Sequence, residues 1–288
     1  MLAVVIGFLG MLFFAASIPS TSLALEGFDP GFTTFTRAAL AGLGAAVILL
    51  IARRPWPAKK HIRPLLTIAV MIAFAFPGFM AMSLTHVGPA HGAVVLGLIP
   101  LMSSSISVAM TGVKPPLGFW LASITAGVIV MIFALYESGT SLEWGDIYMV
   151  LGASATAYGF NLSGRLNAHM PSWEIICWSL VVILPVSLTG ALLLWPGMPV
   201  ASATTSLPWI WSGLIYSGLG AMLTGYMLFT MGLNMGGITR IGQLQYLQVF
   251  VTLGMAAAVN NDPLRLETLL TASIVTMLVI IAMRAKSR

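Results

Sequence analysis

The amino-acid sequence predicts an all-α membrane protein, with ten transmembrane helices arranged as two inverted five-helix repeats. Three observations predict this fold: the scarcity of charged residues, ten long apolar segments, and the separation of basic from acidic residues between alternate loops. Only 7% of the 288 residues are charged and the mean hydropathy is +0.98, whereas soluble domains carry about 25% charged residues. Too few polar side chains exist to cover a water-facing surface, so soluble enzymes, nucleic-acid-binding proteins and disordered chains are excluded.

The apolar segments are long enough to cross a bilayer as helices. A helix needs about 20 apolar residues to span the hydrocarbon core, and lipid admits only helices or closed barrels. The alternating pattern of barrel strands is absent from these segments. Residues 1–8 contain no Lys or Arg, so we expect the first segment to be a retained helix and not a signal peptide. The predicted helices 1 to 10 cover residues 2–25, 32–52, 65–85, 90–111, 118–136, 147–167, 174–195, 208–233, 238–259 and 267–284.

If the ten predicted helices alternate in direction, the charged residues separate by sign. Most basic residues then fall on one side of the membrane, and most acidic residues fall on the other. The positive-inside rule places both chain termini in the cytoplasm. We expect the chain to be a multi-pass protein of the cell inner (plasma) membrane. The largest basic cluster lies between helices 2 and 3 and is suited to attract anionic lipid headgroups. It consists of Arg53, Arg54, Lys59, Lys60 and Arg63.

The chain divides into two halves of five helices each, residues 1–138 and 139–288. Residues 87–100 and 235–248 occupy matching places in the two halves, and both contain a glycine-containing turn that leads into an apolar helix. Because five is odd, the second half must cross the membrane in the opposite sense to the first. Inverted repeats of this kind place a substrate site between them near the membrane midplane. The alternative is that any ten-helix protein can be divided in this way.

Helix 9 carries the clearest polar stripe. Gln245 and Gln248 lie on one face of this helix, and Tyr246 lies about 100° around it. Polar residues inside a membrane usually face a cavity or another helix. We therefore expect the two amides to bind a polar group of a substrate, with Tyr246 at the edge of the same cavity. The alternative is a hydrogen-bonded clasp between helices.

Other polar and aromatic residues are candidates for the wall of the same cavity. An aromatic wall with neutral polar groups suits medium-sized, partly apolar solutes, although aromatic residues also fill ordinary helix-bundle cores. The candidates are Ser17 on helix 1, Phe79 and Ser83 on helix 3, Tyr158 and Asn161 on helix 6, Trp178 on helix 7 and Tyr226 on helix 8. Proline lacks a backbone donor and bends a helix, so we expect gating hinges at Pro19, Pro77 and Pro100.

Arg37 stands as an isolated charge inside predicted helix 2. Its guanidinium is suited to hold a substrate carboxylate in a bidentate pair. The alternative is a structural role, in which Arg37 caps helix ends or pairs with Glu26 or Asp29 at the outer surface. No predicted helix has Asp or Glu near its centre, and proton-driven carriers generally use such a group. We therefore expect facilitated diffusion instead of obligatory proton antiport.

The sequence carries no signature of an enzyme or of a bound cofactor. Neither an H-E-x-x-H motif nor a phosphate-binding glycine loop is present, and the spacing of His86 and His91 suits no common metal pair. We therefore predict no enzyme activity, no metal and no cofactor. A membrane enzyme and a channel are the alternatives from other classes. A nucleotide-sugar carrier would need several cationic groups in its cavity, and Arg37 and Arg240 are the available candidates.

Short motifs near the predicted helix ends match those of a known transporter family. They are the run Thr85–Ala90 before helix 4, the Pro100-Leu101 pair, the small-residue turn before helix 9, and Arg37 early in helix 2. With ten predicted helices and very short loops, the chain resembles the drug/metabolite transporter superfamily of the EamA type. That family usually has Gly-Glu after helices 4 and 9, whereas this chain has Gly112-Val113 and Asn260-Asn261.

The resemblance implies export of small molecules by alternating access. It favours the exporters of amino acids and related metabolites, including the YddG-type aromatic amino-acid exporters. The expected substrates are neutral amino acids (aromatic ones, Met and similar) or related small metabolites, and a proton-coupled drug/metabolite antiporter is an alternative. The resemblance also places helix 5 at the periphery. Its small residues suit close helix packing or a weak homodimer, so we expect a monomer or a weak homodimer. These small residues are Gly118, Ala122, Ser123, Ala126 and Gly127.

Overall fold

A computed structural model of the protein describes residues 1–87, 96, 98–138, 144–195, 206–260 and 266–284. These residues form helices and short connections, and no β-strand occurs among them. Parts of two sequence features lie outside the described residues: most of the turn before predicted helix 4, including His91, and the boundary between the halves at 138/139. The all-α fold class is therefore confirmed, while the domain boundary stays a prediction.

Each of the ten predicted helices coincides with helical structure within the described residues. Predicted helix 4 is described only at its end, because residues 88–95 and 97 lie outside. The helices are α1 (Leu2–Leu25), α2 (Pro30–Ile51), α3 (Lys59–Leu84), α4 (Ile99–Thr111), α5 (Leu117–Ser138), α6 (Trp144–Leu166), α7 (Ser172–Val182 and Leu184–Leu193), α8 (Leu207–Gly236), α9 (Ile238–Ile241, Gly242–Leu244 and Gln245–Asn260) and α10 (Leu266–Arg284).

Four of the described helices are long and apolar enough to cross a membrane by themselves. They are α1, α2, α3 and α8, and α7 is a fifth if its two parts, which meet at 45°, form one span. Shorter apolar stretches lie in α4, α5 and α10. The protein is thus a helical membrane protein, and the crossing of the bilayer by all ten helices stays a prediction.

The helix contacts of the two halves correspond to each other when α1 is matched with α6, α2 with α7, and so on up to α5 with α10. The α1–α8 contact corresponds to α6–α3, and the α4–α6 contact corresponds to α9–α1. The α2–α7 and α5–α10 contacts each join a helix to its own equivalent in the other half. Two π-helical segments also occupy equivalent helices, Val70–Ala75 in α3 and Tyr216–Gly225 in α8. Two structurally similar five-helix units related by a pseudo-two-fold axis account for this pattern.

Helix α5 lies at the periphery, as the resemblance implies. It packs mainly against α10, α4 and α9, and its opposite face exposes large apolar side chains at helical spacing to the surroundings: Leu121, Ile124, Val128 and Ile132. The small residues on its inner face are used inside the chain, since the Ser123 hydroxyl donates to Gln243 Oε1 at 2.9 Å. That face is therefore engaged within one protomer, and a homodimer through it stays a prediction without support from these contacts.

Glycines let α1 and α8 approach to backbone contact. A Cβ on Gly10 would lie 2.7 Å from Phe229 Cα and against the Phe229 backbone nitrogen, and a Cβ on Gly232 would lie 2.6 Å from Gly7 Cα. In lipid, where no hydrophobic effect drives helices together, small residues allow the close packing that holds them. The α1–α8 pair therefore depends on these glycines.

We expect Gly10→Ala to lower the free energy of unfolding by about 1–3 kcal/mol, because the added methyl group meets backbone that cannot rotate away. The matched control is Gly254→Ala in α9, where a Cβ would meet no atom of the described residues within 4 Å. Thermal unfolding of the purified variants in detergent measures the difference. Equal stability of the two variants would contradict the close α1–α8 contact.

Candidate functional site

A narrow cavity lies where seven helices meet, between α1, α2, α3, α4, α6, α8 and α9. The space between its lining atoms is about 370 Å³, of which about 20 Å³ admits the centre of a water molecule. A single water needs about 10–15 Å³ by this measure, so the cavity must widen to hold a larger solute. The polar lining residues are Ser17, Arg37, Thr156, Tyr226, Gln245 and Gln248, and the apolar ones are Phe14, Ile18, Phe76, Met80, Leu96, Ile99, Phe160 and Ala221.

An aromatic cluster forms one wall of the cavity. The Phe14 ring lies 4.8 Å from the Tyr226 ring and 5.4 Å from the Phe229 ring, and Phe160 lies 5.6 Å from Tyr226 (centroid distances). The Tyr226 hydroxyl shares a 2.8 Å hydrogen bond with the Thr156 hydroxyl. The bond joins α6 to α8 and gives the buried phenol hydroxyl a hydrogen-bond partner.

Two amides from α9 lie in the cavity wall, as the helical stripe predicts. Gln245 and Gln248 are 4% and 7% exposed, and both line the cavity. The Gln245 Oε1 atom has no hydrogen-bond partner among the described residues. A buried amide oxygen without a partner costs free energy, so it is available to accept a hydrogen bond from a solute.

Arg37 enters the cavity wall from α2 and is 1% exposed. Its Nη1 donates to Thr21 Oγ1 at 3.3 Å and its Nη2 donates to Ser17 Oγ at 3.5 Å, both on α1. Its Nε has no partner among the described residues. Asp29, which the sequence left open as a partner, instead accepts a hydrogen bond from the Phe32 backbone N–H at the start of α2. The guanidinium is thus held by two hydroxyl groups, at long distances.

Asn161 and Tyr246 point away from the cavity lining into helix contacts. The Asn161 amide nitrogen lies 2.9 Å from both the Ser103 and the Ala157 carbonyl oxygens, so it ties α6 to α4. The Tyr246 hydroxyl donates to the Ser123 carbonyl at 2.7 Å and ties α9 to α5. For Tyr246 the structure has the interhelical clasp that was the alternative on helix 9, and Asn161 makes a contact of the same kind.

Four further candidates also lie outside the described cavity lining. Tyr158 is 39% exposed on the outside of the helix bundle. The Trp178 ring packs edge-on at 5.1 Å against Trp56, in the connection between α2 and α3. Phe79 stacks on Tyr148 of α6, and Ser83 is buried near the end of α3 with its hydroxyl unpartnered among the described residues.

Pro19 interrupts α1 inside the membrane, and α9 compensates for the missing backbone donor. Without an N–H at position 19, the carbonyl four residues earlier, that of Ala15, loses its helical partner. The Thr252 hydroxyl donates to this carbonyl at 2.9 Å, and α1 is interrupted at Ala16. The break in α1 thus lies at Ala16, three residues before Pro19, which is consistent with a hinge at this place.

The two other predicted hinges differ in what surrounds them. Pro77 lies two residues after the π-helical segment Val70–Ala75, where the backbone hydrogen bonding already departs from the α-helix. Pro100 is the second residue of α4 as described. The chain before it lies largely outside the described residues, so a kink at Pro100 stays a prediction.

Sequence reasoning overlooked Phe14, Thr156 and Phe160 as cavity residues. On helix 6 it selected the face with Tyr158 and Asn161, whereas Thr156 and Phe160, four residues apart, face the cavity. Gly152 and Gly159 could have indicated how helix 6 is rotated, since glycines mark the side of a membrane helix that packs closely on another helix. A Cβ on Gly159 would meet Ile72 of α3 at 2.6 Å, and this contact fixes the rotation of α6.

An internal cavity with polar groups, enclosed by membrane helices that are paired about a pseudo-two-fold axis, is the arrangement of a small-molecule transporter. Comparison with known proteins agrees. The model of the EamA-like transporter family matches residues 1–136 and 143–284, and the chain belongs to this family. The resemblance to the EamA type is thereby confirmed, while the YddG-type branch stays a prediction. The protein is a membrane transporter of small molecules and not an enzyme.

One relative and one solved structure are similar over nearly the whole chain. The "Uncharacterized transporter YdeK" of Bacillus subtilis (strain 168) is 36% identical over 256 residues, which cover 89% of this chain and 88% of the relative. A protein crystal structure superposes with a TM-score of 0.76 at 17% identity and covers 99% of both chains. At that identity the solved structure supports the fold alone.

We expect Thr252→Val to lower the free energy of unfolding by about 1 kcal/mol, because it leaves the Ala15 carbonyl unpartnered inside the bundle. Pro19→Ala restores a backbone N–H that can reach this carbonyl, so the same Thr252→Val change should cost much less in a Pro19→Ala background. Thr67→Val is the matched control, since the Thr67 hydroxyl bonds to the Arg63 carbonyl of its own helix. Thermal unfolding is measured for the wild-type protein, Thr252→Val, Pro19→Ala and the double variant. The same loss of stability from Thr252→Val in both backgrounds would show that the Thr252 hydroxyl does not replace the missing N–H of Pro19.

Proposed function

We propose that the protein exports neutral amino acids, such as aromatic ones and Met, or related small metabolites, across the inner membrane by alternating access. The observation that carries the proposal is the composition of the cavity wall. It joins an aromatic cluster around Phe14 and Tyr226 to two buried amides, Gln245 and Gln248. An apolar wall binds the side chain of such a solute, and a few placed polar groups orient its charged end.

Alternating access is supported by breaks in the helices of the bundle, three of which (α1, α3 and α8) line the cavity. α1 is interrupted at Ala16, the two parts of α7 meet at 45°, and α3 and α8 each contain a π-helical segment. Such irregular turns are where helices bend. They allow one end of the bundle to open while close glycine contacts keep paired helices such as α1 and α8 together. The topology that we propose has both chain termini in the cytoplasm, with transport directed outward.

Facilitated diffusion is supported by the charges of the cavity. Among the described lining residues Arg37 is charged, and the others are neutral groups without a carboxylate or imidazole. Proton relays in membranes are built from Asp, Glu or His, so a proton-coupled antiporter is the less favoured mechanism. A nucleotide-sugar-like carrier is also less favoured, since Arg37 is the one described cation in the lining to meet a diphosphate.

Counterflow in proteoliposomes tests this function. The exchange of labelled compounds is measured for a panel of neutral amino acids, purine metabolites and cationic drugs. We expect neutral amino acids with apolar side chains to exchange. Gln245→Leu and Gln248→Leu should each raise the half-saturating concentration up to about tenfold, the value of one neutral hydrogen bond. Gln243→Leu is the control: this amide is buried against Ser123 of α5, so its loss should lower thermal stability and leave half-saturation unchanged.

Exchange of other solute classes but not of amino acids would overturn the proposed substrate. A pH-sensitive dye inside the same liposomes tests the coupling. Facilitated diffusion predicts no change of internal pH during counterflow, whereas a fixed ratio of protons to substrate would establish antiport. Normal half-saturation in both Gln245→Leu and Gln248→Leu would remove α9 from the site.

A further inference from the structure

The guanidinium of Arg37 is a buried cation whose protein partners are insufficient. A guanidinium has five N–H donors and no acceptor. In the described part of the chain it makes two bonds, of 3.3 and 3.5 Å, to hydroxyl oxygens, and its Nε makes none. Both bonds are longer than the usual range for N–H to oxygen, about 2.7–3.2 Å. Arg37 therefore retains donors that the fold does not use.

The charge of Arg37 is also not balanced by an ion pair within the described residues. Three of the carboxylates there are placed elsewhere: Glu174 pairs with Arg54 at 3.0 Å near the start of α7, Asp29 caps α2, and Glu26 is exposed. A cation inside the hydrocarbon region is costly, and such residues normally pair or mark a pathway for a substrate. Since Arg37 lines the cavity, an anion that enters the cavity would be attracted to it.

We propose that Arg37, together with Ser17 and Thr21, forms an anion site that binds the carboxylate of the transported substrate. This inference rests on the proposed function and narrows it to solutes with one carboxylate. A carboxylate can accept two parallel N–H bonds from one guanidinium. The Ser17 and Thr21 oxygens accept from Arg37, so each hydroxyl keeps its own O–H donor. Ser17 lies in the cavity lining and can donate to the same anion, whereas Thr21 lies outside the described lining and holds the guanidinium in place.

The rest of the cavity fits the remainder of such a solute. The unpartnered Gln245 Oε1 accepts a hydrogen bond from an ammonium group, and the aromatic wall around Phe14 and Phe160 contacts an apolar side chain. The site selects against solutes without an anionic group, because a desolvated guanidinium would then remain unpaired. It also selects against diphosphates, whose charge exceeds that of one cation.

The test compares solutes that differ only in the carboxylate, namely methionine with methioninamide and phenylalanine with phenethylamine. Binding is measured as the substrate-induced shift in thermal unfolding of the detergent-purified full chain, and transport is measured as counterflow. We expect the wild-type protein to prefer the carboxylate of each pair. Arg37→Gln should weaken carboxylate binding about 10- to 100-fold, the value of a charged hydrogen bond, and change amide or amine binding less than about twofold.

Two further variants keep the test decisive if Arg37→Gln fails to fold. Arg37→Lys preserves the charge without the planar fork, and it should weaken carboxylate binding by a smaller factor. The double change Ser17→Ala with Thr21→Val leaves Arg37 in place and removes both hydroxyls, and it should also lower the preference for the carboxylate. Gln243→Leu serves as the control, since that side chain lies outside the described cavity lining.

Three outcomes would overturn the anion site. The first is equal binding of both members of each pair by the wild-type protein. The second is an equal loss for both members in Arg37→Gln, which would show that Arg37 only holds α1 against α2. In these two cases transport of the solutes continues, so the proposed function stands without the anion site. The third is the absence of binding and counterflow for every solute in the panel, which would overturn the proposed function as well.

Discussion

The absence of water inside the membrane is the constraint on which the structure depends. Each polar group that enters the bundle must find a partner within the protein, because lipid offers none. Pro19 in α1 is an example: it leaves the Ala15 carbonyl without its helical partner, and the Thr252 hydroxyl of α9 donates to that carbonyl instead. Asn161, Tyr246 and Gln243 are likewise bonded across helix interfaces. Groups that lack protein partners are therefore informative, and two of them, Arg37 Nε and Gln245 Oε1, belong to residues of one cavity.

The same constraint separates the rigid parts of the protein from those that can bend. Where glycines bring helices into backbone contact, as between α1 and α8, we expect the pair to move as one body. Where the helical hydrogen-bond pattern is interrupted, at Ala16 of α1, at the bend of α7 and in the π-helical segments of α3 and α8, the backbone can change direction. The cavity lies between such paired helices, and in the described conformation it has room for about one water molecule. A substrate therefore requires the bundle to widen, which links binding to movement.

Hydropathy alone predicts the helices of this chain, because lipid imposes one pattern on every span. The polar stripe of helix 9 also predicts the position of Gln245 and Gln248, since residues three apart share a face. The neighbouring Tyr246 could not be assigned in this way: a residue about 100° around a helix can face either a cavity or the next helix, and here it faces α5. For α6 the rotation is set by the contact of Gly159 with α3. That contact depends on which helices are neighbours, and a single sequence does not contain this information.

We propose that one cavity opens in turn to the two sides of the membrane. Ala221 lines this cavity with a small side chain, and Cys177 is the one native cysteine, so Ala221→Cys in a Cys177→Ala background gives a single reporter. We would apply a membrane-impermeant thiol reagent to vesicles of each orientation, with and without substrate. Alternating access predicts that the cysteine at position 221 reacts with the reagent from both sides of the membrane and that substrate slows both reactions. Reaction from one side only, under every substrate gradient, would contradict alternating access around this cavity.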